Sequence, residues 1–311
     1  MKSLATHLDG YLELRRKLGF TLRLAGGLLH RFVAFAEKKR ARFITAKLAR
    51  EWASQPTDCE PAQWANRLGM VRRFAQYVSA NDPRTEIPAQ ELLPHRYHRK
   101  PPYQYNDTEI CRLIQALREL PACNDLRAIS NATLFGLLAV TGMRVGEAIA
   151  LDRKDVDLNR GLLTVRQAKF NKSRWVPIHV TTQKQLREYE RVRNRYYPHS
   201  TSPSFFLSER GTRLTDCTVR RWFIIASRKI GLRAPADRRG PRIHDVRHHF
   251  AQKTILNWYR RGVDVEAHLP ELTTFMGHGH VADTYWYVSS SPELLKLATQ
   301  RLEYRKGGTV A

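Results

Sequence analysis

Four short stretches of this sequence carry residue types that can grip and cut a phosphodiester bond. They are TGMRVGEAIAL, QAKFNKSRWVP, HDVRHHFA and GHGHVADTYWY, at residues 141–151, 167–177, 244–251 and 277–287. Arginine suits this chemistry because its planar guanidinium forms paired hydrogen bonds with phosphate oxygens and keeps its charge at neutral pH. Each stretch contains a residue suited to contact a phosphodiester.

Two arginines, a histidine and a lysine are the candidate contacts to a phosphate. Arg144 stands at the start of a predicted helix, and Arg247 lies within a predicted helix that is otherwise apolar. His244 precedes Arg247 by three residues, so both project from one helix face, and a histidine beside a phosphate can transfer protons near neutral pH. Lys169 lies at the mouth of a predicted hairpin turn, from which it can donate a proton to a leaving oxygen.

The last stretch contains two tyrosines, Tyr285 and Tyr287, and either is a candidate nucleophile. Tyrosine is a poor nucleophile at its free pKa of about 10, so attack requires nearby cations or a base to stabilise the phenolate. The arginines, the lysine and the histidines supply that environment, and the product would be a phosphotyrosine bond. The alternative role for these rings is packing at the end of a helix.

The charge of the chain indicates a polyanionic partner. Its 311 residues suffice for two domains, and its formal net charge is +24. Because this surplus is spread along a chain with 42% hydrophobic residues, it is not a disordered basic tail. Nucleic acid is therefore the expected partner.

Neither a membrane nor an oxidising compartment is indicated. No segment approaches the roughly 18 consecutive apolar residues of a membrane span, and the N-terminal residues lack the apolar core of a signal peptide. The four cysteines lie apart, without metal-ligand spacing: Cys59, Cys111, Cys123 and Cys217. We expect a cytoplasmic protein that acts on DNA and has no membrane partner.

Residues 1–90 predict a small helical bundle, the first of two domains. One apolar stripe begins near Thr45, a candidate cap, and consists of Ile44, Leu48 and Trp52. A second stripe consists of Trp64, Leu68, Val71, Phe74 and Val78. The cations off this stripe are candidate DNA contacts: Arg67, Arg72 and Arg73. They are otherwise ordinary solvated arginines of an amphipathic helix.

Residues 91–104 predict a linker, because Pro94, Pro101 and Pro102 favour extended conformations in their neighbours. Three cations lie close together in it: Arg96, Arg99 and Lys100. An ordinary solvated linker does not need this charge, so they are candidate contacts to a phosphate backbone.

Residues 105–311 predict a second, mainly helical domain. A buried helix should stop at Thr141-Gly142, because glycine is the usual C-terminal cap. From Gly161 the sequence alternates between apolar and polar, turns at residues 170–172 and alternates again up to Pro177, which predicts a β-hairpin. Further helical patterns lie at residues 183–196, 218–230 and from 244 onwards. The fold class is therefore mainly α with a small β-hairpin or sheet (α+β).

A metal site is disfavoured. His244 and His248 have the spacing of a helical zinc pair, but no glutamate lies between them as a general base. Metal-dependent strand transfer requires several convergent carboxylates, and these stretches offer cations and histidines instead. A phosphate-binding pocket without metal explains them better.

In this order and spacing, the four stretches resemble the sequence boxes of the tyrosine recombinases, the phage integrase family of site-specific DNA recombinases. The resemblance covers residues 105–311 with specific motifs. It covers the first ninety residues less specifically, as a core-binding domain. The segment DTYWYVSSSPELL resembles transposon-borne members. The resemblance implies two domains that close as a clamp around DNA.

The resemblance assigns three site residues by their positions in the first two boxes. The family's first arginine, in its T-G-x-R-x-x-E pattern, matches Arg144, and Glu147 matches the carboxylate that buttresses the site. The hairpin lysine matches Lys169, although Ala168 replaces the usual glycine before it. Lys172 lies on the same turn and is the alternative. The position favours Lys169 and leaves Lys172, with Arg174, as a candidate DNA contact.

The resemblance assigns the remaining catalytic residues by their positions in the last two boxes. The H-x-x-R pair matches His244 and Arg247, and the glycine-histidine motif ends at His278. The family's nucleophile follows that histidine by nine residues, at Tyr287. The connection between the two boxes is longer than usual, which leaves these intervals intact.

The resemblance implies DNA cleavage and rejoining through a 3′-phosphotyrosine intermediate, with no metal, ATP or other cofactor. It also implies double-stranded DNA with specific recombination sites, a homotetramer on that DNA, and a role for other recombinases or accessory DNA-bending proteins in some members. A helix at residues 292–303 would dock on a neighbouring protomer, as in the family, or on its own domain.

Two other functions use the same features. One is a DNA-binding protein that keeps the fold without the chemistry, and the other is a type IB topoisomerase. A pure binder has no use for a tyrosine at one fixed interval, which favours an enzyme. The separate helical bundle and the short chain favour a recombinase over a topoisomerase.

Overall fold

The computed structural model describes residues 3–94, 101–121, 125–166, 173–237, 240–289 and 291–305. The chain forms two compact units, Met1–Lys100 and Pro101–Ala311. The division falls within the predicted linker, and the roles of the units as core-binding and catalytic domains stay predictions. Among the described residues, no helix is both long and apolar enough to cross a membrane.

The described part of the first unit is helical, as predicted. Its helices are α1 (Leu4–Lys17), α2 (Arg23–Lys38), α3 (Ala46–Ala53) and α4 (Pro61–Ser79). Thr45 caps α3 by accepting a hydrogen bond from the Leu48 backbone N–H at 3.1 Å. Ile44 precedes the helix but is fully buried with the predicted stripes. The core of this unit includes Phe32, Trp52 and Phe74.

The second unit contains nine further α-helices, a 3₁₀ helix (Arg153–Asp155) and three strands within the described residues. The helices are α5 (Asp107–Arg118), α6 (Asp125–Thr141), α7 (Val145–Ala150), α8 (Val180–Tyr196), α9 (Asp216–Lys229), α10 (Ile243–Arg260), α11 (Val265–Met276), α12 (Ala282–Ser289) and α13 (Pro292–Arg305). The strands are β1 (Val156–Asp157), β2 (Leu162–Val165) and β3 (Arg174–Pro177). The predicted α+β class, mainly helical, is confirmed.

The predicted stop after the buried helix places Arg144. The Thr141 hydroxyl donates to the Leu137 carbonyl at 2.6 Å, and Gly142 follows in the left-handed region at φ +59°. A Cβ at Gly142 would lie 2.4 Å from a ring carbon of Phe250, so glycine is also required for space. The chain then turns directly into α7, with Arg144 as its N-cap residue.

The sheet carries the predicted hairpin and one further short strand. Its order is β1-β2-β3, and both pairs are antiparallel. Val165 pairs with Arg174, the last pair before the turn. The turn itself, residues 167–172, lies outside the described residues. The register therefore places Arg174 at the end of the hairpin that is nearer the predicted turn.

The last four helices form a separate small core. It contains Ala251, Ile255, Met276, Tyr287 and Leu294, all buried. Helix α13 covers the predicted segment 292–303. It packs within its own unit through Leu294, and the guanidinium of Arg301 donates to the Val263 carbonyl at 2.8 Å. The described contacts thus correspond to docking on its own domain.

Candidate active site

Glu147 organises the first part of the site. Its carboxylate accepts from the Arg144 backbone N–H at 3.0 Å and from Arg144 Nη1 at 2.8 Å. It also accepts from Nη1 and Nη2 of Arg174, at 3.2 and 2.8 Å. These four bonds match the roughly four acceptor positions of a carboxylate. Burial opposes ionisation of Glu147, but the bonds and charge of Arg174, followed by those of Arg144, lower its pKa to about 2.

Three arginines from three elements converge on the last turn of α11. Arg174 Nε donates to the Phe275 carbonyl at 2.8 Å, and Arg247 Nη2 donates to the Met276 carbonyl at 2.7 Å. Arg144 Nη1 and Nη2 lie 3.4 and 3.3 Å from the Gly277 carbonyl oxygen. These carbonyls are the partner-free acceptors at the negative end of a helix. The helix end thus binds the site's guanidinium groups.

Gly277 allows this approach. It caps α11 in the left-handed region at φ +67°, and a Cβ there would lie 2.7 Å from Arg174 Nη1. The cap also directs the chain into His278, the next residue. In this chain the glycine of the glycine-histidine motif is therefore required for steric reasons.

Arg247 is almost fully buried, with 2% of its surface exposed. Its Nη1 donates to the Gly142 carbonyl at 2.5 Å, and burial lowers its pKa while electrostatic attraction to the Tyr287 side chain opposes that shift. Among the described residues, no partner binds its Nε. A buried guanidinium that has one N–H group without an acceptor is suited to bind an anion such as phosphate.

His244 and His248 lie one turn apart on α10. His244 is exposed to solvent, yet its pKa is lowered, first by the protein that packs around the ring and then by the Arg247 charge. Its ring lies edge-on to that of His248, with centroids 5.1 Å apart. His248 is buried and packs edge-on against the Tyr287 ring at 4.9 Å. His248 therefore packs against the Tyr287 ring and helps to fix its position.

The two tyrosines of α12 have opposite environments. Tyr287 is 3% exposed, and its hydroxyl lies 3.3 Å from His278 Nε2. Tyr285 is 51% exposed. The structure thus brings Tyr287, His278 and Arg247 together, and it leaves Tyr285 outside this group.

The His278 ring makes a second contact through its other nitrogen, Nδ1. Its Nδ1 lies 2.9 Å from the Thr284 hydroxyl, which lies 2.8 Å from the Thr273 hydroxyl. Burial, followed by the charges of Arg247 and Arg144, lowers the pKa of His278 to about 4. This shift favours the neutral imidazole at physiological pH in the protein without DNA.

Lys169 and the alternative Lys172 lie outside the described residues, as do Arg96, Arg99 and Lys100 of the linker. Their roles stay predictions.

Arg174 is placed differently from its prediction as a DNA contact. Its side chain is 10% exposed and bonds to Glu147 and the Phe275 carbonyl through all three nitrogens. This placement argues against a direct DNA contact and makes Arg174 part of the site's framework. Sequence reasoning missed this because Glu147 lies 27 residues away and on another element.

The predicted contacts on α4 differ in availability. Arg67 donates to the Trp52 carbonyl at 2.9 Å and stacks over the Trp52 ring. Arg72 donates to the Pro88 carbonyl at 3.0 Å. Arg73 is exposed. Arg73 is therefore the most accessible of the three for DNA, while Arg67 stabilises the bundle.

Three further residues lie at the site, and of these Thr284 matches the T-x-x-Y pattern that ends at Tyr287. Thr273, Thr284 and His248 surround the His278–Tyr287 pair. His248 carried a signal, since it lies one helical turn after His244. Thr273 carried none in a single sequence. Within the described ranges, no three His, Cys, Asp or Glu side chains come together as metal ligands.

The chain is similar to known recombinases over most of its length. The sequence model of the phage integrase family matches residues 106–293. A candidate integrase/recombinase of Sinorhizobium fredii, y4rB, is 46% identical over 310 residues, 98% of each chain. The tyrosine recombinase XerD of Staphylococcus epidermidis is 31% identical over 239 residues, 76% of this chain and 75% of that relative.

A solved structure shares the fold. The lambda integrase tetramer bound to a Holliday junction matches with a TM-score of 0.59 and 18% identity, over 90% of this chain and 78% of that chain. The fold likeness agrees with the family match and with the two relatives. The chain therefore belongs to the phage integrase family and is a site-specific recombinase of the tyrosine type.

Proposed function

We propose that this recombinase cleaves and rejoins DNA strands through a covalent bond between Tyr287 and the 3′ phosphate of the broken strand. The observation that carries the proposal is the position of the Tyr287 hydroxyl, 3.3 Å from His278 Nε2 and within electrostatic reach of the buried Arg247. A hydroxyl between a neutral base and a cation is the arrangement that a weak nucleophile requires.

The scissile phosphate binds to Arg144 and Arg247, with His244 beside it. The Nε of Arg247 offers a buried donor, and Arg144 presents a side chain that is 29% exposed. Developing charge on the phosphate oxygens is stabilised by donors that are already in place. Glu147 and Arg174 hold Arg144 and the end of α11 and do not contact DNA.

The reaction exchanges one phosphoester for another. The phenolate oxygen of Tyr287 bonds to phosphorus, the bond to the 5′ oxygen breaks, and that oxygen leaves as a 5′-hydroxyl after it takes a proton. Lys169 is the proposed proton donor. The phosphoester energy is kept in the DNA–protein intermediate, so rejoining needs no ATP, and the site's arginines supply the positive charge that a metal ion would otherwise provide.

The partner is double-stranded DNA with specific recombination sites, on which four protomers assemble. The net charge of +24 and the lambda integrase tetramer on a Holliday junction support this assembly. Arg73 and the linker cations would be among the contacts to the duplex. A need for partner recombinases or DNA-bending proteins stays a prediction.

Covalent trapping tests the chemistry. The wild type, Tyr287→Phe and Tyr285→Phe are incubated in EDTA with nicked suicide substrates that carry candidate sites from the DNA flanking the gene. A denaturing gel then reveals protein bound covalently to DNA. We expect an adduct with the wild type and with Tyr285→Phe, and none with Tyr287→Phe.

Four results would contradict the proposal. Loss of the adduct only in Tyr285→Phe would assign the nucleophile to the other tyrosine. An adduct that requires added Mg²⁺ would exclude metal-free cleavage. Tight binding to its own sites without any adduct would favour a DNA-binding protein without chemistry. Relaxation of supercoiled DNA without strand exchange would indicate a topoisomerase.

A further inference from the structure

Two buried threonines form a chain of hydroxyl groups behind His278. Thr284 is fully buried and Thr273 is 7% exposed. The Thr273 hydroxyl donates to the Leu269 carbonyl at 2.8 Å and lies 2.8 Å from the Thr284 hydroxyl. The Thr284 hydroxyl in turn lies 2.9 Å from His278 Nδ1. The chain thus runs from a backbone carbonyl to one ring nitrogen of the histidine.

Proton counting gives this chain one direction. A carbonyl only accepts, so the single Thr273 proton points to Leu269. The bond between the hydroxyls must then use the Thr284 proton. Neither threonine has a proton left for His278, so the third bond requires a hydrogen on Nδ1. The neutral imidazole therefore carries its proton on Nδ1 and a lone pair on Nε2.

We propose that Thr284 and Thr273 are positioning residues that hold His278 in the Nδ1–H tautomer, so that its Nε2 receives the proton of Tyr287. The proposal rests on the function proposed above for Tyr287. It assigns to the histidine of the glycine-histidine motif the removal of the nucleophile's proton. The threonines act only through His278 and do not touch the DNA.

The surroundings of the Tyr287 hydroxyl agree with this direction. It lies 3.3 Å from His278 Nε2 and within electrostatic reach of Arg247, and because a guanidinium only donates, Arg247 cannot accept the proton that Tyr287 gives to Nε2. The distance of 3.3 Å is long for a hydroxyl donor, as catalytic hydrogen bonds often are without substrate. A neutral His278 is also required, because imidazolium has no lone pair. Its pKa of about 4 meets that requirement.

The step balances in protons. As the Tyr287 oxygen attacks phosphorus, its O–H bond breaks and the proton moves to Nε2, which makes His278 an imidazolium. The new charge is stabilised by the Thr284 oxygen, which accepts from Nδ1–H. During rejoining, the proton returns to the tyrosine oxygen as the phosphotyrosine bond breaks.

Nitrogen NMR of the histidines tests the tautomer directly. Full-length protein labelled with ¹⁵N at histidine is examined without DNA at pH 7, and the His278 signals are assigned by their loss in His278→Asn. We expect a protonated, pyrrole-type Nδ1 and an unprotonated, pyridine-type Nε2. The opposite pattern in the wild type would overturn the proposal, whatever the outcome of covalent trapping.

Paired substitutions test the origin of the tautomer. Thr284→Val keeps the shape and removes the hydroxyl, whereas Thr284→Ser keeps the hydroxyl. Thr273→Val breaks the chain one step further back. Thr274→Val is its matched control, because Thr274 lies on the same helix and its hydroxyl bonds only to the Pro270 carbonyl among the described contacts.

We expect a loss of the Nδ1–H signature in Thr284→Val and a partial loss in Thr273→Val. Cleavage should slow roughly tenfold or more in Thr284→Val, within the range of proton-transfer catalysis, and by less than about threefold in Thr284→Ser. Thr274→Val should match the wild type. Unchanged tautomer and rate in a folded Thr284→Val would refute the positioning role. If the tautomer changes in Thr284→Val but neither the wild type nor any variant forms an adduct, the function proposed for Tyr287 is refuted instead.

Discussion

The arginines of this site are fixed by charged groups and backbone carbonyls, whereas its nucleophile is fixed by uncharged hydroxyls and rings. In the cationic half, Arg144 and Arg174 share Glu147, and Arg144, Arg174 and Arg247 lie against the carbonyls that end α11. In the nucleophile half, Tyr287 contacts His278 and His248, and His278 contacts Thr284.

This difference follows the two tasks of the site. Binding a phosphate requires positive charge that does not vary with pH, and arginine with a strongly acidic partner supplies it. Moving a proton requires a neutral group in one tautomer, which buried hydroxyls can specify without adding charge. The last turn of α11 joins the halves, because it binds the arginines and leads into His278.

The largest effect is expected in the cationic half. Arg247→Lys keeps the charge but loses the fork that reaches the Gly142 and Met276 carbonyls and the donor at Nε. Adduct formation should slow at least about 100-fold, the scale of losing one preorganised donor to a transition state. Single-turnover cleavage measures the rate.

Arg260→Lys is the control for this change, since it lies on the same helix in an exposed pair with Glu293. Its rate should stay within about twofold of the wild type. Equal rates for Arg247→Lys and Arg260→Lys would show that charge alone, without the guanidinium geometry, suffices.

The second effect concerns stability. Glu147→Gln leaves Arg144 and Arg174 without their shared anion and should lower the free energy of unfolding by about 3 kcal/mol at pH 7. Glu293→Gln, in the exposed pair with Arg260, should cost less than about 1 kcal/mol. Urea unfolding of both variants makes the comparison.

The effect of Glu147→Gln should depend on pH in one direction. The folded pKa of Glu147 is lowered to about 2 from an ordinary value of 4.5, so its contribution is complete above pH 4.5 and is lost as the pH falls towards 2. The stability difference between wild type and variant should therefore narrow from pH 6 to pH 3. A difference that stays constant over this range would contradict the ion-pair account.

The smallest effect is expected from pH on cleavage itself. Because the pKa of His278 is lowered to about 4, its protonation should not slow the wild type between pH 8 and pH 6, and a decline should begin only as the pH approaches 4. Single-turnover rates on one suicide substrate measure this profile. A fall of about threefold between pH 7 and pH 6 would show that the proton acceptor titrates near its ordinary pKa of about 6.5 instead.

The sequence predicted the parts of the site that depend on local structure. Thr45 caps α3, and the Thr141-Gly142 stop places Arg144 at the start of α7, because caps and glycine turns are encoded within a few residues. The nine-residue interval from His278 to Tyr287 also corresponds to a contact in the structure.

The parts that were missed depend on contacts between distant elements. Arg174 bonds to Glu147 and Phe275 from a strand whose register only the folded sheet defines. Thr273 meets Thr284 across two helices. Arg174 lies close to the hairpin lysines in the sequence, and such a group of cations is typical of a DNA contact. Only the burial of Arg174 in the structure indicates that it belongs to the framework of the site.

The central claim is that Tyr287 becomes covalently attached to DNA. The most direct measurement is to trap the wild type on a suicide substrate in EDTA, digest the adduct with nuclease and protease, and locate the attached nucleotide by mass spectrometry. The account predicts a nucleotide linked through its 3′ phosphate to Tyr287. A nucleotide on Tyr285, or on another residue, would contradict it.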